Sequence, residues 1–281
     1  MSYDIGMELA GHIERELQVP LKYVVAGLLC ASTIALLDVH SWVGWLGLAA
    51  ASALAGSHWR TAFGRHMLLL AALLGLLAFM PVSTNIDVSH ILFLPVLILI
   101  TVVTPFLVTR KVFRDRVMAF PFRRERTWYT HEVLYVLATG VLTYLVFPVY
   151  FTMTGAYLNW SVDFNLNSIG RLFVGMMGVG VWDELFFIGT VFALLRKHLP
   201  FTWANIAQAT IFTAFLYDLG FRGWGPAIIF GFALSQAYIY RRSKSFLYIV
   251  SIHLTIDFVL FLILVHLHHP AHWRFFVTSP W

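Results

Sequence analysis

Two carboxylates, Asp183 and Glu184, stand side by side in the apolar stretch GVWDELFFIGTVFALL. Further along, YIVSIHLTIDFVLF carries His253 and Asp257, four residues apart and so on one face of a helix. Such a set suits the activation of water. A desolvated carboxyl group can hold or accept a proton near neutrality, and two neighbouring acids favour one protonated and one ionised form. His253 is suited to share that proton or to stabilise an oxyanion, and Asp257, one turn on, to orient the ring. FLYDLG adds Tyr217 and Asp218. The competing reading is an Asp–His pair that only ties helices together.

The elements that hold these groups are membrane helices. The chain has 281 residues, 59% hydrophobic and 12% charged, with a mean hydropathy of +0.77. A soluble domain carries about twice that charged fraction. Nine apolar runs read as helices, at 21–39, 41–57, 67–82, 91–109, 132–153, 171–195, 201–220, 223–240 and 245–267. The second and third are short for a span, so the expectation is an all-α polytopic bundle of eight to nine membrane helices. No internal repeat divides it, and residues 1–281 read as one membrane domain. The first twenty residues lack the layout of a signal peptide.

Depth supports a shared site. In a helix over 171–195, Asp183 and Glu184 lie roughly 18 Å from either end, and Asp257 is about as deep in the last helix. Acids at that depth cost about 2.5–3.5 kcal/mol each, so they must face the bundle interior or a wet cavity. Charge sets an orientation. With the N-terminus in the cytoplasm, nine spans place sixteen of the 19 basic residues inside; Arg171, Arg222 and Arg274 fall outside. The excess of +5 then reflects cytoplasmic loops meeting anionic lipid, and nucleic acid is not an expected partner.

The stretch 183–258 resembles the CPBP family, which includes CAAX prenyl proteases, bacteriocin-processing proteins and Abi-type bacterial membrane proteins. That family carries Glu-Glu-x-x-x-Arg, then Phe-x-x-x-His, then His-x-x-x-Asn on successive membrane helices. Here DELFFIG sits where the family has EELLFRG, and FGFALSQAYIYRRSKSFLYIVSIHLTID follows its later helices. The resemblance makes 171–267 the catalytic core and implies intramembrane proteolysis in a prokaryotic cell membrane. Water activated by the first-motif acid and the later histidines would cleave a membrane protein or peptide substrate. Glu184, Gly189 and His253 match outright. Asp183 replaces the first Glu, Ile188 the Arg and Asp257 the Asn, and the second-motif histidine falls near Leu216 to Asp218.

The expected site is therefore Asp183, Glu184, His253 and Asp257, with Asp218 as a candidate replacement for the missing histidine. No cofactor is expected; a divalent metal stays open but has no supporting donor pattern. Cys30 is the only cysteine, and Pro270 interrupts the C-terminal set His266, His268, His269 and His272. Two other classes compete with the protease: a catalytically silent scaffold that binds another membrane protein, and a proton-coupled transporter.

Overall fold

The computed structural model describes residues 2–80, 84, 87–122 and 128–276. Nine helices order the described chain. They are α1 (Ser2–Leu37), α2 (Val43–Gly56), α3 (Ala62–Phe79), α4 (88–112), α5 (Thr130–Thr154), α6 (Leu166–Arg196), α7 (Phe201–Asp218), α8 (Gly225–Ser243) and α9 (Phe246–His268). No strand occurs among the described residues. The molecule is an all-α polytopic bundle.

Six helices are long and apolar enough to cross a membrane: α1 from Pro20, α3, α4 from Leu92, α5, α6 and α9. The second apolar run gives only the 14-residue α2, about 21 Å long. The third starts earlier than its hydropathy suggests. Thr61 caps α3 by accepting a hydrogen bond from the Gly64 amide at 3.1 Å, which draws AFGRH into the helix. Asn165 caps α6 in the same way, accepting from Ser168 N at 2.8 Å. That cap extends α6 back beyond residue 171. By rise alone Asp183 then lies about 26 Å from Leu166 and about 20 Å from Arg196, so the acids sit nearer the Arg196 end.

The two less apolar helices, α7 and α8, are joined by side-chain amides. Gln208 Nε2 donates to the Ala233 carbonyl at 2.9 Å, and Asn205 Nδ2 to the Leu234 carbonyl at 2.9 Å. Bonds of this kind satisfy polar groups where no water reaches. α9 packs between α5 and α6 and also meets α8, while α1 lies against α2 and α7. α6 is not a regular α-helix throughout. From Glu184 to Phe192 it runs as a π-helix, a form frequent at functional sites, and α4 holds two shorter π segments, Leu99–Val103 and Val108–Val112.

On the basic side of the bundle, residues 113–122 fold under α6 and α9. Phe246 N donates to the Pro121 carbonyl at 3.1 Å, and the Phe120 ring lies 5.4 Å from that of Phe246. Gly189 permits this approach, because a Cβ there would collide with both rings. A polar latch ties the same segment to α3. His66 Nδ1 and His198 Nε2 are 2.8 Å apart, His66 Nε2 is 3.7 Å from Asp115 Oδ2, and Lys197 Nζ is 3.4 Å from Asp115 Oδ1.

Burial, reinforced by neighbouring His66, pulls His198 from 6.5 down to about 4. Between those values the unfolded chain binds more protons at this position than the folded one. The contribution of His198 to stability therefore falls as pH drops from about 6.5 and levels off near 4. The thermal unfolding midpoint of the detergent-solubilised protein should fall over that window. The fall should be shallower in His198→Phe; equal slopes would remove His198 from the latch.

Candidate active site

The residues singled out by spacing meet in space. His253 Nδ1 lies 2.8 Å from Glu184 Oε1, and its Nε2 lies 3.7 Å from Asp183 Oδ2 and 3.8 Å from Asp257 Oδ1. All four residues are buried, none more than 8% exposed. The imidazole thus has one nitrogen on Glu184 and the other between two further carboxylates. An ionised carboxylate only accepts, so with Glu184 ionised Nδ1 carries the hydrogen, while Nε2 faces the carboxyl groups of Asp183 and Asp257.

A fifth residue, not apparent from the sequence, completes the set. Gln236 of α8, 1% exposed, donates from Nε2 to Glu184 Oε1 at 2.6 Å and to the Ile249 carbonyl at 3.1 Å. It holds the Glu184 oxygen that His253 also uses. The one available signal was a glutamine inside the apolar helix sequence FGFALSQAYIY, since a polar group there must find a partner. Phe212 and Phe232 stand edge-on to the His253 ring, with centroids at 6.1 and 5.2 Å.

Gly180, one helical turn before the acids, lets α9 come close. A Cβ at this position would strike the Asp257 carboxylate. Next to the acids, Trp182 is fully buried; it donates from Nε1 to Thr101 Oγ1 at 2.8 Å and stacks on Phe186. α6 is thereby fixed against α4 where the acids begin.

Asp183, His253 and Asp257 form part of the wall of a cavity of about 560 Å³. Glu184 is not among the lining residues; it stands behind the imidazole. The remaining wall is mainly apolar, with hydroxyls from Thr139, Thr143, Tyr150 and Ser235. Asp183 Oδ1, Glu184 Oε2, Asp257 Oδ2 and Gln236 Oε1 are buried without a protein partner. Of these, the Asp183 and Asp257 oxygens belong to the cavity wall, where free acceptors suit water or the N–H groups of a peptide.

Two of the four motif departures lie outside the acid–histidine cluster. Ile188, where the resemblance expects Arg, is 2% exposed in the core. Leu216 lines the cavity where the histidine is expected. Asp218 is not brought to the cluster. Its Oδ1 lies 3.4 Å from His40 Nε2, and neighbouring Arg222 stacks over the Tyr217 ring at 3.7 Å. Asp218→Asn should therefore leave any hydrolytic rate within about threefold, as for a surface pair worth under 1 kcal/mol. A drop beyond tenfold in a peptide-cleavage assay would return Asp218 to the site.

The C-terminal histidines bond backbone carbonyls: His266 to Trp273, His268 to Leu264 and His269 to Val162, at 2.8, 2.9 and 2.6 Å. Among the described residues, no group of three His, Cys, Asp or Glu side chains is placed to hold a metal ion.

No curated protein and no solved structure matches the chain. A family model does, over residues 165–259: the type II CAAX prenyl endopeptidase, Rce1-like. The matched stretch holds Asp183, Glu184, Gln236, His253 and Asp257, hence the whole cluster and the helices that carry it. Over residues 165–259, about a third of the chain, the protein is thus similar to the Rce1-like CAAX endopeptidases that the sequence motifs resembled.

Proposed function

We propose that the chain is an intramembrane endopeptidase that hydrolyses a membrane-embedded or membrane-proximal peptide bond with carboxylate-activated water. The observation that carries this reading is the convergence of Asp183, His253 and Asp257 on the wall of one cavity, with Glu184 and Gln236 behind them. Water beside Asp183 and His253 Nε2 gives up a proton to the Asp183 carboxylate as its oxygen adds to the peptide carbonyl carbon. The C–N bond then breaks as the leaving amine takes that proton back from Asp183. Glu184 holds the imidazole by Nδ1, and Asp257 faces Nε2 from one turn along α9. Asp218 takes no part.

The test is mass spectrometry of membrane peptides from cells with and without the wild-type protein, against cells carrying Asp183→Asn. Fragments that require the wild type support hydrolysis. A second reading, a silent scaffold for another membrane protein, is favoured by Ile188 at the family's Arg position and by the lack of a histidine over Leu216 to Asp218. It predicts the same peptide set in all three samples.

We also place the N-terminus in the cytoplasm, the C-terminus outside and the loop 110–127 on the cytoplasmic leaflet, where its arginines meet anionic lipid. Reporters fused at Arg116 and after Trp281 should then fall on opposite sides of the membrane. Reporters on the same side would overturn this topology.

A further inference from the structure

Two π-helical segments stand against each other beside the acids. Leu99–Val103 of α4 packs on Glu184–Phe192 of α6. Pro105 accounts for the first. It has no N–H to give the Thr101 carbonyl, four residues back, so the regular α ladder is broken there. A threonine in or beside each segment reaches five residues back, the π spacing. Thr104 Oγ1 donates to the Leu99 carbonyl at 2.9 Å, and Thr190 Oγ1 to the Leu185 carbonyl at 3.2 Å.

A side-chain bond joins the two helices at this level. Trp182 Nε1 donates to Thr101 Oγ1 at 2.8 Å, and the Thr101 hydroxyl donates on to the Leu97 carbonyl at 2.7 Å. Trp182 and Thr101 are both 0% exposed, so water cannot replace either partner. Trp182 precedes Asp183, and the π segment opens at Glu184. The bond is thus made just before α6 changes register. Leu94 and Leu97 of α4 line the cavity together with Asp183, whereas Thr101 and Trp182 are not among the lining residues.

The two flanks of the π segment are held by different neighbours. Upstream, Trp182 is tied to α4. Downstream, the Phe187 ring packs on Phe212 and Phe215 of α7, with centroids at 4.8 and 5.4 Å, and Gly189 lies against Phe120 and Phe246. One residue more or less in a helical turn swings the next face by about 100°. The register between the two anchors therefore decides where both acids point. With the upstream anchor gone, α6 can relax toward the commoner α register and carry Asp183 off the cavity wall.

We propose that Thr101 and Trp182 are positioning residues. Through their bond α4 sets the register of α6, which keeps Asp183 on the cavity wall and Glu184 behind His253. The proposal rests on the peptide-hydrolase reading for the reaction it serves.

Three variants of the full chain test it by steady-state peptide cleavage. Thr101→Val keeps the shape and removes the acceptor. Trp182→Phe keeps an aromatic ring, removes the donor and strands no buried N–H. Each should lower kcat at least about tenfold with KM within about twofold, since misplacing reacting groups by about 1 Å costs on the order of 10²-fold. Thr101→Ser keeps the hydroxyl and should stay within about threefold of the wild-type kcat. A Trp182→Phe protein with the wild-type kcat, or a Thr101→Ser protein as slow as Thr101→Val, overturns the proposal.

Hydrogen exchange read by mass spectrometry tests the register without any need for turnover. Amides of 184–192 should exchange at least about tenfold faster in Trp182→Phe than in the wild type, with α9 unchanged. Unchanged exchange over 184–192, or an equal rise throughout the bundle, overturns the proposal. A rise confined to 184–192 in a chain that cleaves nothing would refute the enzyme and leave the register control standing. An active wild type whose Trp182→Phe variant shows no local rise would do the reverse.

Discussion

Asp183→Asn is expected to lose peptide hydrolysis by about 10²–10⁴-fold while the protein still inserts and accumulates normally. The amide has the shape of the carboxyl group, so the 3.7 Å approach to His253 Nε2 can persist. What disappears is a group on the cavity wall able to take a proton from water. Insertion should not suffer, because a neutral amide at this depth costs less to bury than a charge. Asp183→Glu supplies the acid that the motif resemblance expects, one methylene longer. It should keep at least tenfold more activity than the Asn variant, since the proton acceptor is retained and only its reach changes. Single-turnover cleavage by purified protein measures both. An Asn variant that cleaves at the wild-type rate removes Asp183 from the chemistry.

Much of this site could be read before any fold was known, because the rules behind it are local. The i, i+4 spacing of His253 and Asp257 fixes a shared face. Rise per residue fixes depth, and the cost of buried acids fixes that they point inward. Those three arguments bring four side chains to one place, and they meet there at 2.8–3.8 Å. Gln236 escaped because nothing within α8 says which helix its amide faces; its partner is 52 residues away. Asp218 shows the same limit from the other side. Its contact with His40, from the turn after α1, depends on how α1 packs on α7.

Most helices followed the apolar runs; the largest misfit is α1, which begins at Ser2 and not at 21, and smaller ones arise where a cap decides the boundary. Thr61 and Asn165 extend α3 and α6 by several residues that hydropathy alone assigns to connections. The π segment from Glu184 to Phe192 has no counterpart in the hydrophobic pattern. A change in hydrogen-bond register does not alter which residues are apolar. It does alter which way they face, and it begins at the second acid. That fits Asp183 lining the cavity while Glu184, its immediate neighbour, turns behind the imidazole.

Glu184→Gln should cost about 10²–10⁴-fold in kcat with KM changed little, although Glu184 does not line the cavity. Oε1 takes both the His253 contact at 2.8 Å and the Gln236 hydrogen bond at 2.6 Å. An amide oxygen can still accept both, so the ring should stay in place. The lost charge matters when His253 carries a proton during turnover, since a neutral amide stabilises that cation far less. The amide also puts an N–H₂ where Glu184 Oε2 now lies buried without a protein partner. Gln236→Met tests the support from the other side. It removes the donor that fixes Glu184 and leaves the Ile249 carbonyl without this bond, and hydrogen bonds to charged groups are worth about 1.5–3 kcal/mol. That corresponds to a loss of roughly 10–150-fold. If Gln236 acts only by positioning Glu184, the double variant should lose little more than Glu184→Gln alone, because two residues working as one unit are not additive. Full additivity would show Gln236 acting elsewhere. A Glu184→Gln enzyme with unchanged kcat would show that the carboxylate behind the ring only ties α6 to α9.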